Sequence, residues 1–126
     1  MYARDNAATA NDLQQHQASD DVVRAATVAL SMLADATRLR LVAVLAGGER
    51  DVTALTAAVG AARPAVSQHL AKLRLAGLVT VRREGRRALY AVAGPHVRRL
   101  VVEVLQMAEH QVSDHPAHHR STAQDP

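Results

Sequence analysis

The chain has 126 residues, of which 48% are apolar, and it contains no Cys, Trp or Phe. This length fits a single domain with a small core of Leu, Val and Ala, and the missing Cys excludes disulfides and thiolate metal sites. The formal net charge is +3, but residues 63–99 hold eight arginines and Lys72 against Glu84 alone. This concentration of positive charge favours a polyanion such as nucleic acid, although a solvated arginine-rich face is the alternative.

The chain carries no sequence signal for a membrane. No apolar run approaches the roughly 18 residues of a membrane span, and the N-terminus lacks the pattern of a signal peptide. A cytoplasmic protein with no membrane partner is therefore expected. Residues 1–19 are rich in Ala, Asn, Gln and Thr with little apolar periodicity, so we expect a flexible arm there.

Apolar residues at helical spacing predict two helices after this arm. The first is expected from a capping signal at Asp20-Asp21 to Leu33, and the second from near Asp35 to Gly47-Gly48. The residues at helical spacing on the first helix are Val22, Ala25, Ala26, Ala29, Leu30 and Leu33. On the second helix, the side chains expected to face inward are Leu39, Val42, Ala43 and Leu45.

Two shorter helices are predicted next. Residues 51–53 offer a short strand and a helix cap, Ala54 to Val59 form a brief third helix, and Gly60 ends it. Pro64 suits the first turn of a fourth helix, where its missing N–H costs nothing, and this helix runs to about Ala76.

Alternating apolar residues around a turn at Glu84-Gly85 predict a β-hairpin that carries four arginines. Its strands contain Leu78, Val79 and Val81 before the turn, and Leu89, Tyr90 and Val92 after it. Gly94-Pro95 starts a last helix that is expected to reach about Val112, and residues 113–126 are expected to form a flexible tail that contains His. The apolar stripe of this last helix is Val97, Leu100, Val101, Val104, Leu105 and Ala108.

Three stretches resemble the ArsR/SmtB family of winged-helix metalloregulators, and the resemblance covers Val22 to Val112. They are Leu33-Ala-Asp-Ala-Thr-Arg-Leu-Arg-Leu41, the run Ser67-Gln-His-Leu70 with Leu73-Arg-Leu-Ala-Gly-Leu78, and Arg86-Arg-Ala-Leu-Tyr90. The chain is most similar to the actinobacterial nickel/cobalt-sensing (KmtR-like) branch, through Ser67 to Arg74, His96-Val-Arg98, Ala108-Glu-His110 and His118-His-Arg120. The resemblance implies a homodimer on double-stranded operator DNA, with repression relieved by metal.

Elements and resemblance together predict a mainly α fold with a small β-hairpin. It is a winged helix-turn-helix over residues 20–112, and it dimerises through its first and last helices. On the fourth helix, Val66, Leu70 and Leu73 pack inward and leave a polar face for the major groove.

Gln68 on that polar face is the best candidate for reading a base edge, because its amide can match adenine in a bidentate manner. The other predicted DNA-binding residues, expected to contact the sugar-phosphate backbone or the minor groove, are Arg63, Ser67, His69 and Lys72 on the helix, and Arg82, Arg83, Arg86 and Arg87 on the hairpin. These contacts position a protein on DNA without specifying sequence.

The regulatory hypothesis rests on the last helix. His96 and His110 lie 14 residues apart, which keeps them on nearly the same helix face but separates them by roughly 21 Å. One helix therefore cannot chelate an ion with both. If two last helices pack antiparallel across a twofold axis, His96 of one protomer meets Glu109 and His110 of the other, which gives two equivalent sites. The resemblance implies the same geometry.

Imidazole and carboxylate donors without thiolate suit Ni(II), Co(II) or Zn(II). His118 and His119 on the tail could complete a six-coordinate shell, which favours Ni(II) or Co(II) as the effector over four-coordinate Zn(II). Zn(II) is also disfavoured by the resemblance, since Gly94 and Met107 stand where zinc-type members have ligands. The weaker candidate ligands are Glu103, His115 and His16. A solvated tail that binds nickel adventitiously is the alternative.

Two other function classes stay open. A metal-independent winged-helix regulator predicts no effect of Ni(II) on operator affinity. A nickel-handling protein predicts several weakly bound ions per chain and no specific DNA binding. An enzyme is disfavoured, because no nucleophile–base pairing, phosphate loop or HExxH pattern occurs in the sequence.

Overall fold

The computed structural model of the chain describes residues 18–114, which form five α-helices and a three-stranded antiparallel sheet. In chain order the elements are α1 (Asp20–Leu33), α2 (Ala36–Ala46), β1 (Arg50–Asp51), α3 (Val52–Val59), α4 (Arg63–Leu75), β2 (Val79–Glu84), β3 (Arg87–Val92) and α5 (Pro95–Asp114). The mainly α architecture with a β-hairpin is confirmed. Among the helices of this range, none combines the length and the apolar character needed to cross a bilayer.

The sheet has the strand order β1-β3-β2, so β3 lies in the middle. Strands β2 and β3 form the wing, with pairs running from Val79↔Val92 to Glu84↔Arg87. This register leaves Gly85 and Arg86 as the turn, one residue later than predicted. Gly85 has φ 63° and Arg86 does not have positive φ, which is the requirement of a turn with glycine at its first central position. Strand β1, the shortest, pairs with β3 and brings the loop before α3 beside the wing.

Several element boundaries differ from the predicted ones because capping side chains decide them. The cap of α1 is Ser19, whose Oγ accepts a hydrogen bond from the Val22 backbone N–H at 3.3 Å, so the prediction of a cap at Asp20-Asp21 is wrong. Asp51 caps α3 by accepting from the Ala54 N–H at 2.9 Å, and α3 therefore begins two residues before its predicted start. Helix α5 continues to Asp114, so the first two residues of the predicted tail are helical.

Helix α2 lies at the centre of the core. It packs against α1, α3, α4, α5 and β3, and its Leu41, Val42 and Leu45 are fully buried. Leu41 was not among the predicted inward residues, because a helix covered on several sides buries more than one stripe. The other fully buried side chains of the described residues are Leu55, Val66, Leu70, Leu73, Val79 and Val101.

Helices α1 and α5 leave much of their apolar surface uncovered in the single chain. Only Leu33 of α1 is buried, and Leu30 is 54% exposed, so most of the apolar stripe of this helix is uncovered within one chain. On α5, Val101 is buried, whereas Leu100 and Val104 are each 36% exposed. Leu30 and Leu33 of α1, with Leu100, Val101 and Val104 of α5, line one apolar pocket of about 170 Å³. Exposed apolar patches of this kind are typical of interaction surfaces.

Leu41→Ala tests the position of the core. Truncating this fully buried side chain should lower the free energy of unfolding by about 2–5 kcal/mol, through lost transfer energy and a residual cavity. Leu75→Ala is the matched control, because Leu75 is also helical but 90% exposed, and it should change stability by less than about 0.5 kcal/mol. Urea unfolding followed by circular dichroism, at one protein concentration, measures both. Equal losses would contradict the assigned core.

Candidate nucleic-acid interface and candidate metal centre

Helix α4 follows α3 after a tight turn, and its packing separates two faces. Gly60 ends α3 in the left-handed conformation with φ 66°, which glycine adopts without strain. Val66, Leu70 and Leu73 of α4 are fully buried, as predicted. The face opposite this seam carries Ser67, Gln68 and Lys72, all of them exposed. The structure therefore brings these three predicted DNA-binding residues onto one accessible helix surface.

Arg63 begins α4 and links it to the preceding helix. Its guanidinium Nη1 donates to Thr53 Oγ1 of α3 at 3.2 Å, at an exposed position. The contact leaves the other guanidinium donors of Arg63 available to a ligand.

His69 differs from its neighbours on α4. Its side chain is 23% exposed, and its Nδ1 lies 3.2 Å from the Arg38 guanidinium of α2. The ring is thus engaged with the adjacent helix rather than lying free on the polar face.

Arg82, in strand β2 of the wing, is held by two carboxylates. Its Nε and Nη2 donate to the two oxygens of Glu49 at 2.7 and 2.9 Å, and its Nη1 donates to Glu84 at 3.0 Å. The hydrogen bonds from Arg82 lower the pKa of Glu49, and those carboxylates raise the pKa of Arg82. Glu84 could have been anticipated, because residues two apart lie on the same face of a strand. Glu49 is distant in sequence and gave no such signal.

Arg87, in strand β3 of the wing, is also held. Its Nε donates to Asp51 Oδ2 at 3.2 Å, while Asp51 also caps α3. The pKa of Asp51 is lowered by the Ala54 backbone N–H and also by Arg87. Arg83 and Arg86 are exposed, and neither takes part in an ion pair within the part of the chain that the structure describes. The wing therefore has two held arginines and two arginines at its tip that are open to a polyanion.

The candidate metal ligands of α5 do not converge within one chain. His96, Glu103, Glu109 and His110 are all exposed, and His96 Nδ1 lies 3.1 Å from an Arg99 guanidinium nitrogen. Residues 18–114 contain no group of three or more His, Asp or Glu side chains close enough to hold an ion. His16, His115, His118 and His119 lie outside the described residues. A site made from the α5 residues would need a second chain.

Comparison with known proteins identifies relatives of the whole domain. The family model "Bacterial regulatory protein, arsR family" matches residues 35–81. The transcriptional regulator KmtR of Mycobacterium tuberculosis is 45% identical over 102 residues, which are 81% of this chain and 78% of that protein. The transcriptional repressor SmtB of the same species is 36% identical over 88 residues, covering 70% of this chain and 65% of that protein.

A solved structure gives the same fold. The homodimeric winged helix-turn-helix DNA-binding domain of a Mycobacterium bovis protein, determined by solution NMR, superposes with a TM-score of 0.70 at 34% identity. The match covers 79% of this chain and 95% of that domain. The winged helix-turn-helix predicted from the sequence is therefore confirmed.

Glu49→Gln tests whether the carboxylate withholds Arg82 from DNA. The change removes one of the two carboxylates that hold the Arg82 guanidinium, together with one negative charge beside the wing. Affinity for duplex DNA of any sequence should therefore rise, and the salt dependence should steepen by up to about one counterion. Fluorescence anisotropy on random duplex DNA at several salt concentrations measures this. Asp114→Asn, the same charge change at the end of α5, is the control.

The free energy of unfolding should change little in Glu49→Gln, because the ion pair is half-exposed. Unchanged or weaker DNA binding by Glu49→Gln, or an equal rise in Asp114→Asn, would contradict this account of the wing.

Proposed function

Because the chain belongs to the ArsR family of bacterial regulatory proteins, we propose that it is a transcriptional regulator that binds operator DNA and responds to Ni(II) or Co(II). The observation that carries the DNA-binding half is the exposed polar face of α4, together with the exposed arginines Arg83 and Arg86 of the wing tip. The relatives are named regulators, which agrees with a binding function rather than an enzymatic one.

In this proposal α4 enters the major groove. Gln68 reads a base edge, and Arg63, Ser67 and Lys72 contact phosphates on either side. Arg83 and Arg86 at the wing tip reach the adjacent backbone or minor groove. Arg82 and Arg87 act differently, because their carboxylate partners hold them along the strands, and they fix the direction in which the wing extends.

The functional unit is a homodimer formed through α1 and α5. Support comes from the uncovered apolar surface of these two helices and from the homodimeric state of the M. bovis relative. A twofold axis presents two α4 helices to successive major grooves, about 34 Å apart, so the operator is palindromic.

The dimer also supplies the metal site. Two antiparallel α5 helices would bring His96 of one protomer to Glu109 and His110 of the other, and His118 and His119 would complete the shell. These donors fit the ion, because exposed imidazoles and a carboxylate are the ligands that Ni(II) and Co(II) accept. Glu103, His115 and His16 are subsidiary candidates. The bound ion would supply positive charge and a fixed geometry between the two helices.

Metal lowers operator affinity in this proposal, so the protein represses and metal relieves repression. The name of the SmtB relative, a transcriptional repressor, supports this direction. Coupling between the two sites is reciprocal, and DNA must weaken metal binding by the same factor.

Gln68→Ala and Arg86→Ala separate base reading from phosphate contact. Gln68→Ala should lose about 1–3 kcal/mol on the operator and little on random DNA, because the lost amide specifies sequence. Arg86→Ala should weaken binding to both DNAs and reduce the salt slope by about one. Anisotropy titrations on an operator selected from a random duplex library measure these values. Equal losses on both DNAs in both variants would refute the division.

A metal titration tests the regulatory half. Saturating Ni(II) or Co(II) should weaken operator binding by about 5–150-fold, a coupling free energy of about 1–3 kcal/mol, and Zn(II) should act less. In the absence of metal, the double variant His96→Ala/His110→Ala should bind the operator as tightly as the unaltered protein does. Addition of Ni(II) or Co(II) should then no longer weaken its binding, since the variant lacks ligands at both ends of α5. Gln106→Ala, exposed on the same helix, is the control and should keep the response.

Each other outcome of the titration identifies an alternative. Tight operator binding that ignores all three metals indicates a metal-independent regulator. Several weakly bound ions per chain without specific DNA binding indicate a nickel-handling protein. A metal response that survives the double substitution contradicts the assigned ligands.

A further inference from the structure

Arg38, in the first turn of α2, connects three helices. Its Nε donates to the backbone carbonyl of Met32 in the last turn of α1 at 2.6 Å. Its Nη1 lies 3.2 Å from Nδ1 of His69 on α4. The same guanidinium therefore spans from the end of α1, across α2, to the middle of α4.

The chemistry of the contact fixes its direction. An arginine side chain has only donors at any accessible pH, so His69 Nδ1 must accept and the ring proton must lie on Nε2. Asp35 Oδ2 lies 3.9 Å from His69 Nδ1, too far for a hydrogen bond. Asp35 instead caps α2 and accepts the Arg38 backbone N–H at 2.9 Å. The helix cap formed by Asp35 and the guanidinium contacts of Arg38 therefore both lie at the first turn of α2.

The contact between Arg38 and His69 is partly shielded from water. His69 is 23% exposed and Asp35 36% exposed, as side chains, and both hydrogen bonds of the Arg38 guanidinium are part-buried. Hydrogen bonds that involve a charged partner and are partly shielded from water are among the stronger ones in proteins.

The position of the link relates two surfaces of the proposed function. Met32 belongs to α1, which carries the uncovered apolar surface, and His69 immediately follows Gln68, the candidate base reader. Base contacts depend on orientation, and displacement of a contacting group by about an ångström removes a well-formed hydrogen bond. A fixed angle between α1 and α4 would set both the tilt of each reading helix and the spacing of the two helices in a dimer.

We propose that Arg38 and His69 are a positioning pair, which orients α4 relative to α1 so that Gln68 reaches its base. His69 then acts on the operator through Arg38 and does not itself contact DNA. This inference rests on the proposed function, since it assumes that α4 reads the operator.

Two substitutions of His69 separate positioning from direct contact. The side-chain oxygen of Asn can take the place of Nδ1, whereas the longer Gln side chain takes the place of Nε2. If His69 accepts from Arg38, His69→Asn should recover most of the affinity lost in His69→Ala, and His69→Gln should not. If His69 contacts phosphate through its Nε2 proton, His69→Gln should recover the affinity and His69→Asn should not. Arg38 is unaltered in these variants, so its own removal cannot confuse the result.

A double-mutant cycle with Arg38→Ala tests the coupling. Each single alanine variant should bind the selected operator about tenfold more weakly, which corresponds to about 1.4 kcal/mol, with little change on random duplex DNA. The double variant should also be weakened about tenfold rather than about hundredfold, because both changes break one link. Thermal unfolding of each variant confirms that it is folded under the binding conditions.

Three results would overturn the inference. They are recovery by His69→Gln instead of His69→Asn, additive losses in the cycle, and losses of equal size on random DNA. The unaltered protein is titrated in the same series. Absence of specific binding by that protein would overturn the proposed function and this inference with it, whereas additive losses in a protein that binds its operator overturn the inference alone.

Discussion

The structure depends on the apolar surface that α1 and α5 do not bury within one chain. A domain of this size has a small core, and here the core is centred on α2, with Leu41, Val42 and Leu45 fully buried. Residues such as Leu30 and Leu100 remain accessible because no other element of residues 18–114 covers them. A twofold dimer would cover this surface, pair the reading helices and bring the α5 ligands together. Stability, operator geometry and metal response would then share one interface.

Charge in the wing follows a second constraint. Four arginines around one turn repel one another, and the structure relieves this by pairing Arg82 with Glu49 and Glu84, and Arg87 with Asp51. These pairs leave positive charge at the tip, on Arg83 and Arg86. The number of arginines in the wing sequence is therefore larger than the number that are free to contact DNA. A similar reduction applies to α4. The hydrogen bond between Arg38 and His69 engages a side chain that the sequence pattern assigns to the polar face.

Much of the fold could be predicted because local signals and packing agree there. Gly60, Pro64 and the buried seam of Val66, Leu70 and Leu73 identify α3 and α4 from sequence alone. The failures have physical causes. Periodicity identified the apolar stripe of α1, but it could not show that most of this stripe stays uncovered within one chain. The cap at Ser19 and the ion pair to Glu49 depend on side-chain geometry and on contacts between distant residues. The metal ligands of α5 stay predictions, because a site formed by two protomers does not bring its ligands together within a single chain.

The most direct measurement is the number of protomers on the operator, by sedimentation equilibrium of the metal-free protein with labelled duplex DNA. The account predicts a dimer in free solution and two protomers on a full palindrome. It also predicts two protomers on DNA that holds one half-site, because the dimer forms through α1 and α5 before it meets DNA. A single protomer on the half-site, with an affinity per site equal to that on the palindrome, would contradict the account.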